Sequence, residues 1–312
     1  MKKSNFLLRL MIFYPIIFFL IIFFLLEKNL AYSSDQPSRI LRDALGYEFP
    51  LGPPPQRIIS LAPNLTEILF ELNLGEKIIG LTRFCNYPPQ ATTIERVGGY
   101  LDPNLEKITA LNPDLVLAYR GTPLDVLNKL RTAGLPLFVF DEGQKIEDLF
   151  SLIETLGLIT RREGQALKLI QNLRLRLLYL QAKIKSTSAR PKVFLTLSGL
   201  GLWTCGQQSF LHHLIEMAGG VNIAAFESRR WFFLRTEDLI QAAPDIIVIL
   251  APDSQAFSAK KNFFLKEPSF KKIKAIQDHY FGWLQEDEAS RFGPRLIKAL
   301  EELARLLHPE VF

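Results

Sequence analysis

Cysteine is nearly missing: the 312 residues hold two, with no CxxC and no paired Cys/His spacing. That excludes a disulfide-stapled mini-fold and a zinc-finger or ribbon site. Catalytic signatures are missing too. There is no GxSxG, no P-loop and no HExxH, and Gly199-Leu200-Gly201 lacks the rest of a dinucleotide fingerprint. The four histidines include His212-His213, but neighbouring helical residues point about 100° apart, so a shared metal is not expected. No catalytic residue, no resident metal and no cofactor are therefore expected, and the chain does not read as an enzyme. Charge of one sign is also modest. Of the net +5, residues 1–33 contribute Lys2, Lys3, Arg9 and Lys28 against Glu27, which leaves +2 for the rest. With no Lys/Arg block in the body of the chain, a nucleic-acid partner is not expected.

What is present starts with the N-terminus. Lys2, Lys3 and Arg9 precede an uncharged run from Leu10 to Leu26. A basic start before an apolar run is the layout of an export signal. The run also comes close to the length of a membrane span. Ala31 and Ser33 are small residues that suit cleavage after Ser33; an uncleaved chain would touch the membrane through residues 7–26. No cysteine lies within 25–35, so a lipid anchor on cysteine is not expected. On either reading the chain beyond residue 33 is exported, to the periplasm or the outer face of the cytoplasmic membrane.

The exported part alternates short apolar runs with helical patterns. Strands are expected at Arg57–Leu61, Lys77–Thr82, Leu115–Tyr119, Pro136–Phe140, Lys192–Leu197, Asp245–Leu250 and near Tyr280–Leu284, with a hairpin within 39–50. Between them helices are expected at Pro103–Leu111, Pro123–Ala133, Lys145–Leu156, Ser209–Ala218 and Pro294–Leu307. Asn64 with Glu67 three residues on reads as a capping box, with Gly75 as the helix stop. Apolar residues at three-to-four spacing predict a helix of about 39 Å from Thr160 to about Lys185. Such a pattern predicts an α/β fold: two βα lobes with mostly parallel sheets, joined by one long α-helix, with a ligand cleft between the lobes. The expected divisions are 1–33 for the signal or anchor, 34–158 for the first lobe, 159–187 for the linking helix and 188–312 for the second lobe.

An internal repeat supports two similar lobes. Glu106 and Glu237 each lie seven residues before a Pro-Asp pair, at 113–114 and 244–245, that opens an apolar strand. In each case a capping residue, Asn104 or Thr236, precedes the helix. Cys85 and Cys205 fall one in each lobe and are expected to remain two separate thiols.

Aromatic residues carry the functional signal. Phe84, Tyr87, Tyr100, Tyr119, Trp203 and Trp231 fall in loops or at strand ends. In parallel sheets the ligand crevice lies beyond the carboxyl ends of the strands. Aromatics there make broad walls for a large, flat, largely apolar ligand. Trp203 and Trp231 are expected to face each other across the cleft.

The motifs around these residues resemble a known family. Arg57–Phe70, Asn86-Tyr87-Pro88-Pro89, Val97-Gly98-Gly99-Tyr100, Asn104–Ile108, Asn112–Val116 and Ala218–Asn222 are similar, in order, to the helical-backbone, cobalamin/iron-chelate class of ABC-transporter substrate-binding proteins. The resemblance spans about residues 39–307 and is nearest to the cobalamin-binding branch. It implies two βα lobes on one long helix, small closure, and a corrinoid ligand carried to an ABC permease and its ATPase by a monomer. It implies that Phe84, Tyr100, Tyr119, Trp203 and Trp231 contact the corrinoid and that Asp287 and Arg291 are polar cleft positions. It also implies that Glu106 and Glu237 pair with permease arginines at the lobe tips. Tyr100 and Tyr119 stand where the best-known relative has Trp, and Phe84 stands where it has Tyr. Haem or a ferric siderophore, with Arg83, Arg120 and Arg291 as cations, and a membrane-anchored sensory domain remain alternatives.

Overall fold

The computed structural model describes residues 40–312. The apolar run and the expected cleavage after Ser33 lie outside these residues. Among the described residues no helix is long and apolar enough to cross a membrane. Strands β1 (Ile40–Arg42) and β2 (Glu48–Pro50) pair antiparallel with Leu41 opposite Phe49, the hairpin expected within 39–50. They fall in a different unit of the chain from residues 43–47 and 53–312.

The first lobe holds an all-parallel sheet of β3 (Ile58–Ser60), β4 (Ile78–Leu81), β5 (Leu115–Tyr119) and β6 (Leu137–Phe140), in the order β4-β3-β5-β6. Its strands are continuous apolar runs because both faces are covered. Ile59, Val116, Ala118 and Val139 pack with Ile108, Leu127 and Leu130 from the helices α2 (Leu105–Ala110) and α3 (Leu124–Thr132); α1 is Pro63–Glu71.

The capping box is not where the spacing placed it. Ala62 is the N-cap of α1, Pro63 occupies the first helical position, and Asn64 and Glu67 are buried inside the helix. Proline suits that position because it lacks the N–H that would go unpaired there. The stop is likewise earlier: Asn73, with φ of 58°, turns the chain before Gly75.

The long helical stretch is two helices, α4 (Ile146–Thr160) and α5 (Glu163–Ile184), broken at Arg161 with φ of 56°. The 22 residues of α5 make a rod of about 33 Å. It buries Ala166, Ile170, Leu173, Leu177, Leu180 and Ile184. It meets α4 at close range, since a Cβ on Gly157 would stand 2.6 Å from that of Ala166.

The second lobe holds β7 (Lys192–Leu197), β8 (Trp203–Cys205), β9 (Val221–Asn222), β10 (Trp231–Phe233), β11 (Ile246–Ala251) and β12 (Phe281–Gln285). The order is β10-β8-β7-β11-β12, with β9 beside β7. Strands β7, β11 and β12 are parallel, but β8 and β10 run antiparallel to their neighbours, so this sheet is mixed. Helices α6 (Phe210–Met217), α7 (Thr236–Ala242), α8 (Ser254–Lys266), α9 (Lys274–Gln277), α10 (Glu286–Ser290) and α11 (Leu296–Leu307) complete the chain. Asn104 caps α2 as expected, accepting from the Lys107 N–H at 2.9 Å, but the N-cap of α7 is Arg235, not Thr236.

The sequence repeat has a structural cause. Asp114, just before β5, accepts from the backbone N–H groups of Gln56 and Arg57 at 2.7 and 2.8 Å. Asp245, just before β11, accepts from the N–H of Lys192 at 2.8 Å. In each lobe the Pro-Asp pair thus ties the start of one parallel strand to the start of its neighbour.

Candidate ligand-binding cleft

The amino end of α1, the carboxyl end of β5 and the segment after α10 enclose a hollow of about 410 Å³. Tyr100, Leu101, Tyr119 and Glu142 line it from the first lobe, and Ser290, Arg291 and Phe292 from the second. Asn64 organises its floor. Its Nδ2 donates to the Phe292 carbonyl at 2.9 Å and to the Tyr119 hydroxyl, which joins the lobes and aims the tyrosine ring. Burial raises the Tyr119 pKa well above its ordinary value, partly offset by the Asn64 hydrogen bond, so the phenol stays neutral. The Phe84 ring lies 6.1 Å from that of Tyr100, tilted by 58°, with the Arg83 guanidinium 5.0 Å from the Phe84 centroid.

Beneath the hollow a charged network fastens the lobes together. Glu67, buried on α1, accepts from Arg295 at 2.9 and 2.7 Å and from Arg291 at 3.3 Å. Arg291 also donates to Asn86 Oδ1 at 2.7 Å and to the Phe84 carbonyl at 3.1 Å, and pairs with Asp287 at 2.7 Å. Asn86 Nδ2 completes the ring by donating to Asp287 at 2.8 Å. Burial opposes the charge on Arg295, but the Glu67 hydrogen bond and the surrounding carboxylates outweigh it and raise its pKa. A second bridge, Arg230 to Glu142, crosses at the rim.

The expected site residues separate into groups. Tyr100, Tyr119 and Arg291 line the hollow, with Phe84 and Asp287 one contact away. Tyr87 goes elsewhere: its ring lies 4.0 Å under the Arg295 guanidinium and lines a different hollow of about 650 Å³ beside α5. Trp203 and Trp231 do not face each other across the cleft. They lie on the adjacent strands β8 and β10, where Trp203 is opposite Phe233 and Trp231 is opposite Cys205. Residues two apart share a sheet face, so both tryptophans project from the same side of the second lobe. Trp203 packs edge-on against Phe233 at 6.1 Å. Neither lines the 410 Å³ hollow.

Sequence reasoning missed Asn64, Glu67, Glu142, Arg230, Phe292 and Arg295. Cys85 and Cys205 are both free and buried, and burial pushes the Cys205 thiol up to about 12. The adjacent histidines come closer to sharing a partner than the 100° argument allowed. Glu216 reaches His212 Nε2 at 3.5 Å and His213 Nδ1 at 3.4 Å. Asn222, whose Oδ1 already accepts from Ala224, directs its Nδ2 at His212 Nδ1 at 3.5 Å. That leaves the proton on Nε2, facing Glu216, which suits a hydrogen bond better than a metal.

The chain matches the periplasmic binding protein family over residues 58–287. It belongs to that family. A vitamin B12-binding protein of Photorhabdus laumondii is 32% identical over 255 residues, covering 81% of this chain and 88% of that protein. An uncharacterized ABC transporter substrate-binding lipoprotein of Bacillus subtilis, YvrC, is 29% identical over 276 residues, covering 86% and 85%. Among solved structures, the periplasmic vitamin B12 binding protein BtuF of Vibrio cholerae superposes with a TM-score of 0.72 at 28% identity, covering 83% of this chain and 98% of that one. The matched span takes in the sheets of the two lobes, but not the β1-β2 pair, and stops before Arg291 and Arg295, which close the network under the cleft.

Proposed function

We propose that this chain is the exported substrate-binding component of an ABC importer and that its ligand is a corrinoid, held between the lobes. The observation that carries the ligand class is the state of the arginines. Arg83 pairs with Asp102 at 2.9 Å, Arg120 with Asp141 at 3.2 Å, and Arg291 with Asp287 at 2.7 Å. These are the cations that an anionic ferric siderophore would need, and each already faces a carboxylate. Glu142, the carboxylate that lines the hollow, is likewise paired, with Arg230, and what remains is aromatic surface with a neutral Tyr119 hydroxyl and the Asn64 amide, which suits a large ligand of little net charge. The relatives named for vitamin B12 support the same class. The aromatic residues Phe84, Tyr100 and Tyr119 would form the first-lobe wall, Phe292 the second-lobe wall and Asp287 and Arg291 the polar end, while Trp203 and Trp231 would meet only a ligand that extends beyond the hollow.

Calorimetry with cobalamin, cobinamide, haem and a ferric catecholate tests this reading. Cobalamin and cobinamide should bind at least tenfold more tightly than either iron ligand. Preference for haem or the catecholate would overturn the corrinoid assignment while leaving the importer role standing.

A further inference from the structure

Between β6 and α4 the first lobe sends residues 141–145 across to the second. Both ends of this strap are tied down. Asp141 pairs with Arg120 at 3.2 Å, and Asp148 accepts from the N–H groups of Gln144 and Lys145 at 2.8 and 3.0 Å. In its middle the strap meets the second lobe twice. Gly143 lies so close to the Phe292 ring that a Cβ there would collide with it. Glu142 pairs with Arg230, the residue before Trp231 on β10. Glu142 also lines two hollows, the one of about 410 Å³ in the cleft and another of about 420 Å³ that Arg230 lines as well.

Pockets for drug-sized molecules run to about 1,000 Å³, and a corrin ring with its side chains is larger than such molecules. A ligand of that size must fill both hollows, which displaces the contact at their shared wall. The Glu142 and Arg230 side chains are 45% and 37% exposed, so the pair opens at little cost. Once open, a carboxylate and a guanidinium stand side by side against the ligand. We infer that Glu142 and Arg230 select a ring whose rim carries neutral amides and reject one that carries carboxylates there; this rests on the corrinoid reading of the same cleft. A primary amide holds a donor and an acceptor in one planar group. Inserted between the two side chains, its N–H donates to Glu142 and its carbonyl accepts from Arg230. A carboxylate has no donor. It pairs with Arg230 but sets a like charge against Glu142, and that repulsion is what discriminates. The same rule separates a corrin with amide side chains from a porphyrin with carboxylates.

Calorimetry with cyanocobalamin and its monocarboxylic acids, in each of which one peripheral amide is hydrolysed to a carboxylate, tests the inference. The parent protein should bind at least one of these acids at least tenfold more weakly than cyanocobalamin. Glu142→Gln should cut that ratio at least fivefold by tightening the acid, because Arg230 then meets the carboxylate with no opposing charge. Arg230→Gln should widen the ratio at least fivefold, because the repulsion stays and the compensating cation is gone. A bridge that only holds the lobes together would move both affinities in step. A ratio unchanged in both variants would therefore overturn the inference and leave the corrinoid reading standing. So would acids that all bind the parent as tightly as cyanocobalamin does. Failure of cyanocobalamin itself to bind the parent would overturn the corrinoid reading, and this inference with it.

Discussion

Asn64 and Glu67 show how local and tertiary signals collide at one residue. Their three-residue spacing is what a capping box needs, and nothing local separates that use from the one found. The difference is set by Phe292, Arg291 and Arg295, more than 220 positions away in sequence. Long-range partners of that kind leave no mark on a single sequence, so the lobe-joining roles of Asn64, Glu67 and Arg295 were illegible, whereas Asp287 and Arg291 entered through the family resemblance. Lys260 is a second such residue. It is buried on α8, and its Nζ donates to the Gly199 carbonyl at 2.6 Å and to that of Gly201. Burial without a carboxylate lowers its pKa to about 8. Between pH 8 and its ordinary value the unfolded chain binds the proton and the folded chain does not, so stability rises with pH across that window. Below it the cost of burying the charge is fully present. Denaturant unfolding from pH 7.5 to 10 should show this rise, at most about 3 kcal/mol. In Lys260→Met that increment should vanish; an unchanged pH dependence would mean that the lysine is not its source.

Elements were legible where they were long or alternating. All seven expected strands formed, most of them because buried parallel strands are nearly unbroken apolar runs, while β12, Phe-Gly-Trp-Leu-Gln, alternates buried and exposed residues. The three-residue strands β8 and β10 were missed, being shorter than any periodicity can register. That omission is why the tryptophans were expected on opposite walls. Helix α8 was missed as well: its 13 residues bury only Lys260 and Phe264, so its apolar face is thin. The expectation of a separate helix before the linker held, but its boundary moved. The expected end at Leu156 fell short because Gly157 reads as a helix stop, whereas the helix continues through Leu158 and Ile159 and breaks at the left-handed Arg161. Gly157 is the element-scale requirement that follows. Its backbone packs on Ala166 so closely that a side chain must push α4 from α5. Gly157→Val should destabilise the protein by about 1–3 kcal/mol, the usual cost of overpacking, read as a lowered denaturant midpoint at unchanged slope. Corrinoid affinity should stay within twofold, since the contact lies away from the cleft.

For the whole molecule, the repeat is the most instructive feature. Pro-Asp recurs because each lobe ties its first two neighbouring parallel strands together at their amino ends. The same construction carries Glu106 on α2 and Glu237 on α7, each exposed in the first turn of a short helix. A local explanation exists: an acidic side chain in the first turn gains about 0.3–1 kcal/mol from the helix dipole. That explanation does not require the two residues to occupy equivalent places, whereas docking on a two-fold permease does. Neither glutamate is ion-paired among the described residues, in a protein that pairs most charges near its cleft, and neither lines the cleft hollow. Rim charges of this type set orientation and encounter rate more than intrinsic affinity. Reversing both should therefore divide the two activities. Glu106→Arg with Glu237→Arg should leave corrinoid affinity within twofold yet abolish stimulation of the importer's ATPase in proteoliposomes, and each single reversal should weaken stimulation at least tenfold. Because the contact is electrostatic, stimulation by the parent protein should also fall steeply between about 0.05 and 0.5 M salt while ligand binding does not. Full stimulation by the double variant would return the two glutamates to helix stabilisation alone, and loss of corrinoid binding would place them in the cleft.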